Sequence, residues 1–102
     1  MPEISQARQE LVERVLHGDG TASLEQRRGA FENVGLAEPL ASLIDKVARH
    51  AATVTDSDVT SVLEAGVSED QLFEIVVCAA IGQAARGYDA ALAALDVAAE
   101  GD

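Results

Sequence analysis

The stretch that most restricts what this chain can fold into runs from Gly66 to Ala99, where a turn opens onto one long apolar helix. Ser68 and Gln71 stand three residues apart in the pattern of a capping box, in which hydroxyl and amide each satisfy a free backbone N–H of the helix start. Glu69 and Asp70 follow in the first turn, where carboxylates favour the positive end of the helix dipole. Leu72, Phe73, Ile75, Val76, Val77, Cys78, Ala79, Ala80 and Ile81 then run on with Glu74 as their single interruption. A surface helix needs an apolar stripe of only about 100°. This run is apolar all round, so the helix is expected to be largely buried, covered from several directions in the core of an oligomer.

The totals set further bounds. A chain of 102 residues has the size of one domain, here residues 1–102. Phe31, Phe73 and Tyr88 are its only aromatic residues. Alanine supplies much of the other apolar volume, and small side chains bury little area each, so subunit association is the expected source of more burial. Acidic residues number 18 against 7 basic, a net charge of −11, and from Ala51 onward Arg86 is the sole cation among ten carboxylates. Binding to a polyanion needs cations at the phosphates, so nucleic acid and anionic membranes are poor partners. Cys78 is the only cysteine, which excludes an internal disulfide and a cysteine-based metal cluster. The opening MPEISQARQE lacks the basic and apolar regions of a signal peptide. The longest apolar run, seven residues from Ile75 to Ile81, falls far short of the ~20 that span a bilayer. A cytoplasmic protein is expected.

Ahead of the long helix, periodicity predicts four others, giving an all-α fold of about five helices around one long central helix. Ile4, Ala7, Leu11, Val12, Val15 and Leu16 recur at three- and four-residue spacing, a first amphipathic helix stopped by the HGDGT loop. Ser23 and Gln26 offer a second capping box for a short helix, Leu24 to Val34, closed by Gly35. Pro39 suits the first turn of a third helix, whose stripe is Leu40, Leu43, Ile44, Val47, Ala48, Ala51 and Ala52. Thr55 and Asp58 form a further capping pattern before a short helix, Asp56 to Ala65, packed through Val59, Val62 and Leu63. A helix-turn-helix reader of DNA has similar spacing, but its second helix must offer phosphate and base contacts, and here that helix is apolar and acidic.

The segment Ala65–Leu92, AGVSEDQLFEIVVCAAIGQAARGYDAAL, resembles the second half of the core motif of the carboxymuconolactone decarboxylase and alkylhydroperoxidase D superfamily. The matching residues are Ala65, Gly66, Ser68, Glu69, Asp70, Leu72, Glu74, Ala79, Ala80 and Gly82, and the likeness extends over roughly Leu40 to Leu95. It implies an all-α fold with an alkylhydroperoxidase D-like core, whose subunits assemble as trimers, hexamers or similar rings. The family's peroxidase branch carries a Cys-x-x-Cys pair followed by a histidine, and its decarboxylase branch a histidine at that last place. The corresponding positions here are Ala51, Val54 and Asp58. Neither catalytic set is present.

Candidate chemistry therefore rests on other residues. His50 falls near the junction of the third helix with the TVTDSD loop, where the family places its active-site residues, and a histidine there can shuttle a proton at neutral pH. Glu74, between Phe73 and Ile75, would act as a general acid or base if enclosure raised its pKa. Lys46 shares an i,i+4 face with His50 and, with Arg86 and Tyr88, is the candidate substrate-binding set. Cys78, within the most apolar segment, reads as a buried structural thiol. His17 lacks companions at metal-ligand spacing, so no metal or other cofactor is expected. Two readings follow: a divergent small-molecule enzyme with a site of its own around His50 and Glu74, or a noncatalytic homo-oligomeric scaffold or binding accessory that has lost the family's active site.

Overall fold

The computed structural model describes residues 2–100. Five α-helices follow one another: α1 (Pro2–His17), α2 (Leu24–Glu32), α3 (Leu40–Arg49), α4 (Asp56–Glu64) and α5 (Glu69–Glu100), with a 3₁₀ turn at Ala51–Thr53. No strand occurs among the described residues. None of these helices is long and apolar enough to cross a membrane.

Three of the starts follow from local chemistry. Ser23 and Gln26 close a reciprocal capping box on α2, and Thr55 and Asp58 close another on α4. At α5 the Gln71 N–H donates to Ser68 Oγ at 3.1 Å while the Ser68 N–H donates to Gln71 Oε1 at 2.9 Å. Gly66 breaks the chain between α4 and α5 at φ 104°, a backbone conformation that side chains resist.

Two helix ends fall short of the periodic pattern. α2 stops at Glu32 because Asn33, not Gly35, takes the left-handed cap at φ 57°; its N–H reaches the Ala30 carbonyl and its side-chain amide donates to Asp45. α3 stops at Arg49 rather than at Ala52: His50 leaves helical geometry at φ −146°, and the chain tightens into the 3₁₀ turn.

The core is one cluster in which Leu40, Leu43 and Ile44 of α3, Val62 of α4 and Ala30 of α2 meet Leu72, Ile75, Cys78 and Ala79 of α5. Full burial of each branched side chain contributes about 1.5–3 kcal/mol. α2 and α5 come together most closely at Gly82, whose Cα lies against the Phe31 backbone; a Cβ there would overlap the Phe31 carbonyl.

The expectation of a largely buried α5 holds for only part of its length. Leu72, Ile75, Cys78, Ala79 and Ala85 point inward, whereas every residue from Arg86 to Ala99 is exposed. Four shorter helices cannot surround a 32-residue helix, which at 1.5 Å per residue is about 48 Å long. The molecule accordingly measures 54 × 29 × 20 Å.

Candidate functional site

The α3–α4 junction carries Lys46, Arg49 and His50 at the end of α3 and Asp58 in the first turn of α4. Lys46 Nζ donates to both oxygens of Asp58, at 3.0 and 2.9 Å, and Asp58 also accepts from the Thr55 N–H at 2.9 Å. The Lys46 ammonium and the Thr55 amide together hold the Asp58 carboxyl below its ordinary pKa. Arg49 pairs with Asp45 at 3.0 Å one helical turn away. His50 itself is exposed at the end of α3. Its carbonyl accepts from the Thr53 N–H and hydroxyl at 2.8 and 2.7 Å. The side chain of Lys46 is thus committed across to α4 rather than along α3 toward His50.

Glu74 belongs to a different place and a different kind of structure. Its carboxylate receives the Thr21 N–H at 3.0 and 2.9 Å, the Thr21 hydroxyl at 3.1 Å and the Ala22 N–H at 2.6 Å. These donors, aided by the nearby Arg27 charge, move its pKa below the ordinary carboxylate value. The raised pKa that general acid–base work at neutral pH would need is not what this environment produces: hydrogen bonds to the charged form outweigh desolvation. Neither Arg86 nor Lys46 is its partner. Arg27 meanwhile donates to the Gly18 carbonyl at 2.6 Å, fixing the same loop from its other side.

Arg86 and Tyr88 also serve neighbouring elements. Arg86 Nη1 donates to the Phe31 carbonyl at 2.6 Å and Nη2 to Gln83 at 3.2 Å. The Tyr88 ring lies 5.7 Å from the guanidinium of Arg8, which in turn holds Asp89 through two hydrogen bonds of 2.7 and 3.0 Å. Arg8 as the partner of Tyr88, Asp58 as the partner of Lys46, and Thr21 and Ala22 as the partners of Glu74 left no sequence signal apart from the capping pattern at Asp58, because each contact joins distant parts of the chain.

Two concave regions border α5. One, between α1 and α5, is an apolar groove of about 310 Å³ lined by Leu11, Val12, Ile81, Ala84 and Tyr88, with Arg8 at its edge. The other, about 130 Å³, lies beside Glu74, Arg27 and Cys78. Of the five candidate residues only Tyr88 borders the first and only Glu74 the second; Lys46, His50 and Arg86 border neither, so the five do not form one site. Cys78 is almost wholly buried, its thiol donates to the Val15 carbonyl at 3.4 Å, and burial pushes its pKa up. No family model, curated protein or solved structure matches this chain.

Proposed function

We propose that this chain is a divergent carboxymuconolactone decarboxylase-like protein that acts as a noncatalytic homo-oligomeric scaffold or binding accessory. The observation that carries this reading is the commitment of the candidate groups to the fold: Glu74 ties down the loop ahead of α2, Lys46 braces α4, and Arg86 caps a carbonyl of α2. The exposed α5 adds support, because a helix with leucine and valine side chains in water gains free energy when another surface covers it. The resemblance over Leu40–Leu95 supports the family part of the proposal, and the residues at Ala51, Val54 and Asp58 support the loss of its chemistry.

Light scattering coupled to size-exclusion chromatography tests the assembly, with a mass above one chain as the expected result. A parallel screen for hydroperoxide reduction and lactone decarboxylation is expected to give no turnover. Turnover abolished by a single substitution at His50 or Lys46 would overturn the noncatalytic reading.

A second reading, a small-molecule enzyme, is favoured by the Lys46–Asp58 pair, which stands at the place where the family resemblance puts an active-site histidine. On that reading Lys46→Met removes ligand binding while leaving the helical content intact, as measured by calorimetry and circular dichroism.

A further inference from the structure

We infer that the first half of α1, residues 6–12, is a hinged arm that opens on its own while the core stays closed, held down by one ionic clasp between Arg8 and Asp89. The inference stands apart from assembly, since every group in it belongs to a single chain. From Gln6 to Gly20 no residue is buried, whereas α2, α3, α4 and α5 each place at least one side chain in the core. Packing beneath the arm is incomplete on two sides. The groove against α5, about 310 Å³, runs between Leu11 and Val12 on one side and Ile81 and Ala84 on the other. A second depression, about 720 Å³, separates Gln9 and Val12 from Phe31 of α2. Unfilled space leaves its lining without partner atoms, so this half of α1 gains little dispersion energy from lying where it does.

Hydrogen bonding divides α1 in the same way. Among the described residues, the arm is bonded to another element through Arg8 alone, which holds Asp89 at 2.7 and 3.0 Å with its guanidinium 5.7 Å from the Tyr88 ring. The other bonds gather at the far end of the helix. Cys78 and Arg27 donate to the Val15 carbonyl at 3.4 and 3.5 Å, Arg27 donates to the Gly18 carbonyl at 2.6 Å, and Val15 packs against the core. The arm therefore pivots near Val15, about 10 Å along the helix from Arg8. Its lifting uncovers Ile81, Ala84, Ala85 and Tyr88 and leaves Cys78 covered. Those four residues adjoin the part of α5 on which Leu92 and Leu95 are already exposed, so the clasp sets how much apolar surface α5 offers. Both partners of the clasp meet water, 36% at Arg8 and 59% at Asp89. Salt screens such a pair, and its loss shifts an equilibrium by about two- to fivefold.

Residue-resolved amide exchange on the dilute full chain is the test. The amides of Leu11 and Val12 are expected to exchange well ahead of those of Ile75 to Ala79, the mark of an opening that spares the core. Asp89→Asn and Arg8→Gln each speed exchange at Leu11 and Val12 by about two- to fivefold and leave Ile75 to Ala79 unchanged. Salt at ~0.5 M produces the same acceleration in the wild type and none in the variants. The charge swap, Arg8→Asp with Asp89→Arg, restores the slower rate, and a thiol reagent labels Cys78 no faster in any of these chains. Arm amides that exchange no faster than Ile75 to Ala79 overturn the hinged arm, because α1 then opens only with the whole chain. Acceleration absent from both single variants, or a charge swap that leaves exchange fast, overturns the clasp. Cys78 labelling that rises in step with arm exchange overturns the pivot at Val15.

Discussion

Glu74 concentrates four hydrogen bonds on one carboxylate, and three of them come from Thr21. Glu74→Gln removes the charge and one acceptor site, so a lower Tm by calorimetry is the expected outcome. The pH dependence follows from the same contacts. Glu74, Asp58 and Asp89 are held below their ordinary values of 4.5, 3.8 and 3.8, so the native state binds fewer protons than the unfolded chain. Their contribution is complete above those values and declines as pH falls through the depressed native ones. A urea titration series is expected to give a wild-type stability advantage over Glu74→Gln that is constant near neutrality and shrinks below about pH 4.5. Cys78, by contrast, sits under Val15 with its thiol pKa raised; a thiol-specific reagent is expected to label it only after unfolding. The buried character of Cys78 was legible from its apolar neighbours. The bonding of Glu74 was not, since its donors lie more than fifty residues upstream in a loop without a ligand-like pattern.

At the scale of elements, the helix starts were readable because Ser23, Thr55 and Ser68 each make their cap with a residue three positions away. The ends were less so: Asn33 and His50 leave their helices through contacts with Asp45 and Thr53 that periodicity does not encode. Turn and crossing glycines carry distinct expectations. At Gly66, Ala would accept a strained φ in open space, a loss of about 1–2 kcal/mol. At Gly82 it would push α2 off α5 at the Phe31 backbone, a loss of about 3 kcal/mol. Chemical denaturation of the two variants checks the order. The extent of α5 was legible, whereas its one-sided burial was not: apolar residues on all faces gave no sign of which faces the other four helices would reach. Hydrogen exchange is expected to find the amides of Ile75 to Ala79 protected most, and those beyond Arg86 protected only as far as association covers them.

As a whole the molecule is drawn out along α5: its radius of gyration is 15.6 Å, against about 13 Å for a compact domain of this length. Its net charge of −11 opposes any self-association. Raising salt from ~10 mM to ~0.5 M shortens the screening length, so association measured by sedimentation is expected to strengthen with ionic strength. The all-α class was legible in the sequence because each helix carries its own periodicity. The relative placement of α2 and α5 was not, and beside the packing at Ala30 and Gly82 it is marked by two charges twelve positions apart on α5. Glu74 reaches the backbone amides just before the start of α2, while Arg86 reaches a carbonyl near its end. A helix presents positive partial charge at its beginning and negative at its finish. Were α2 to lie along α5 in the reverse sense, each side chain would confront a pole of its own sign. The two residues therefore work as a keyed connector, favouring the nine-residue helix in one direction and opposing the reverse one.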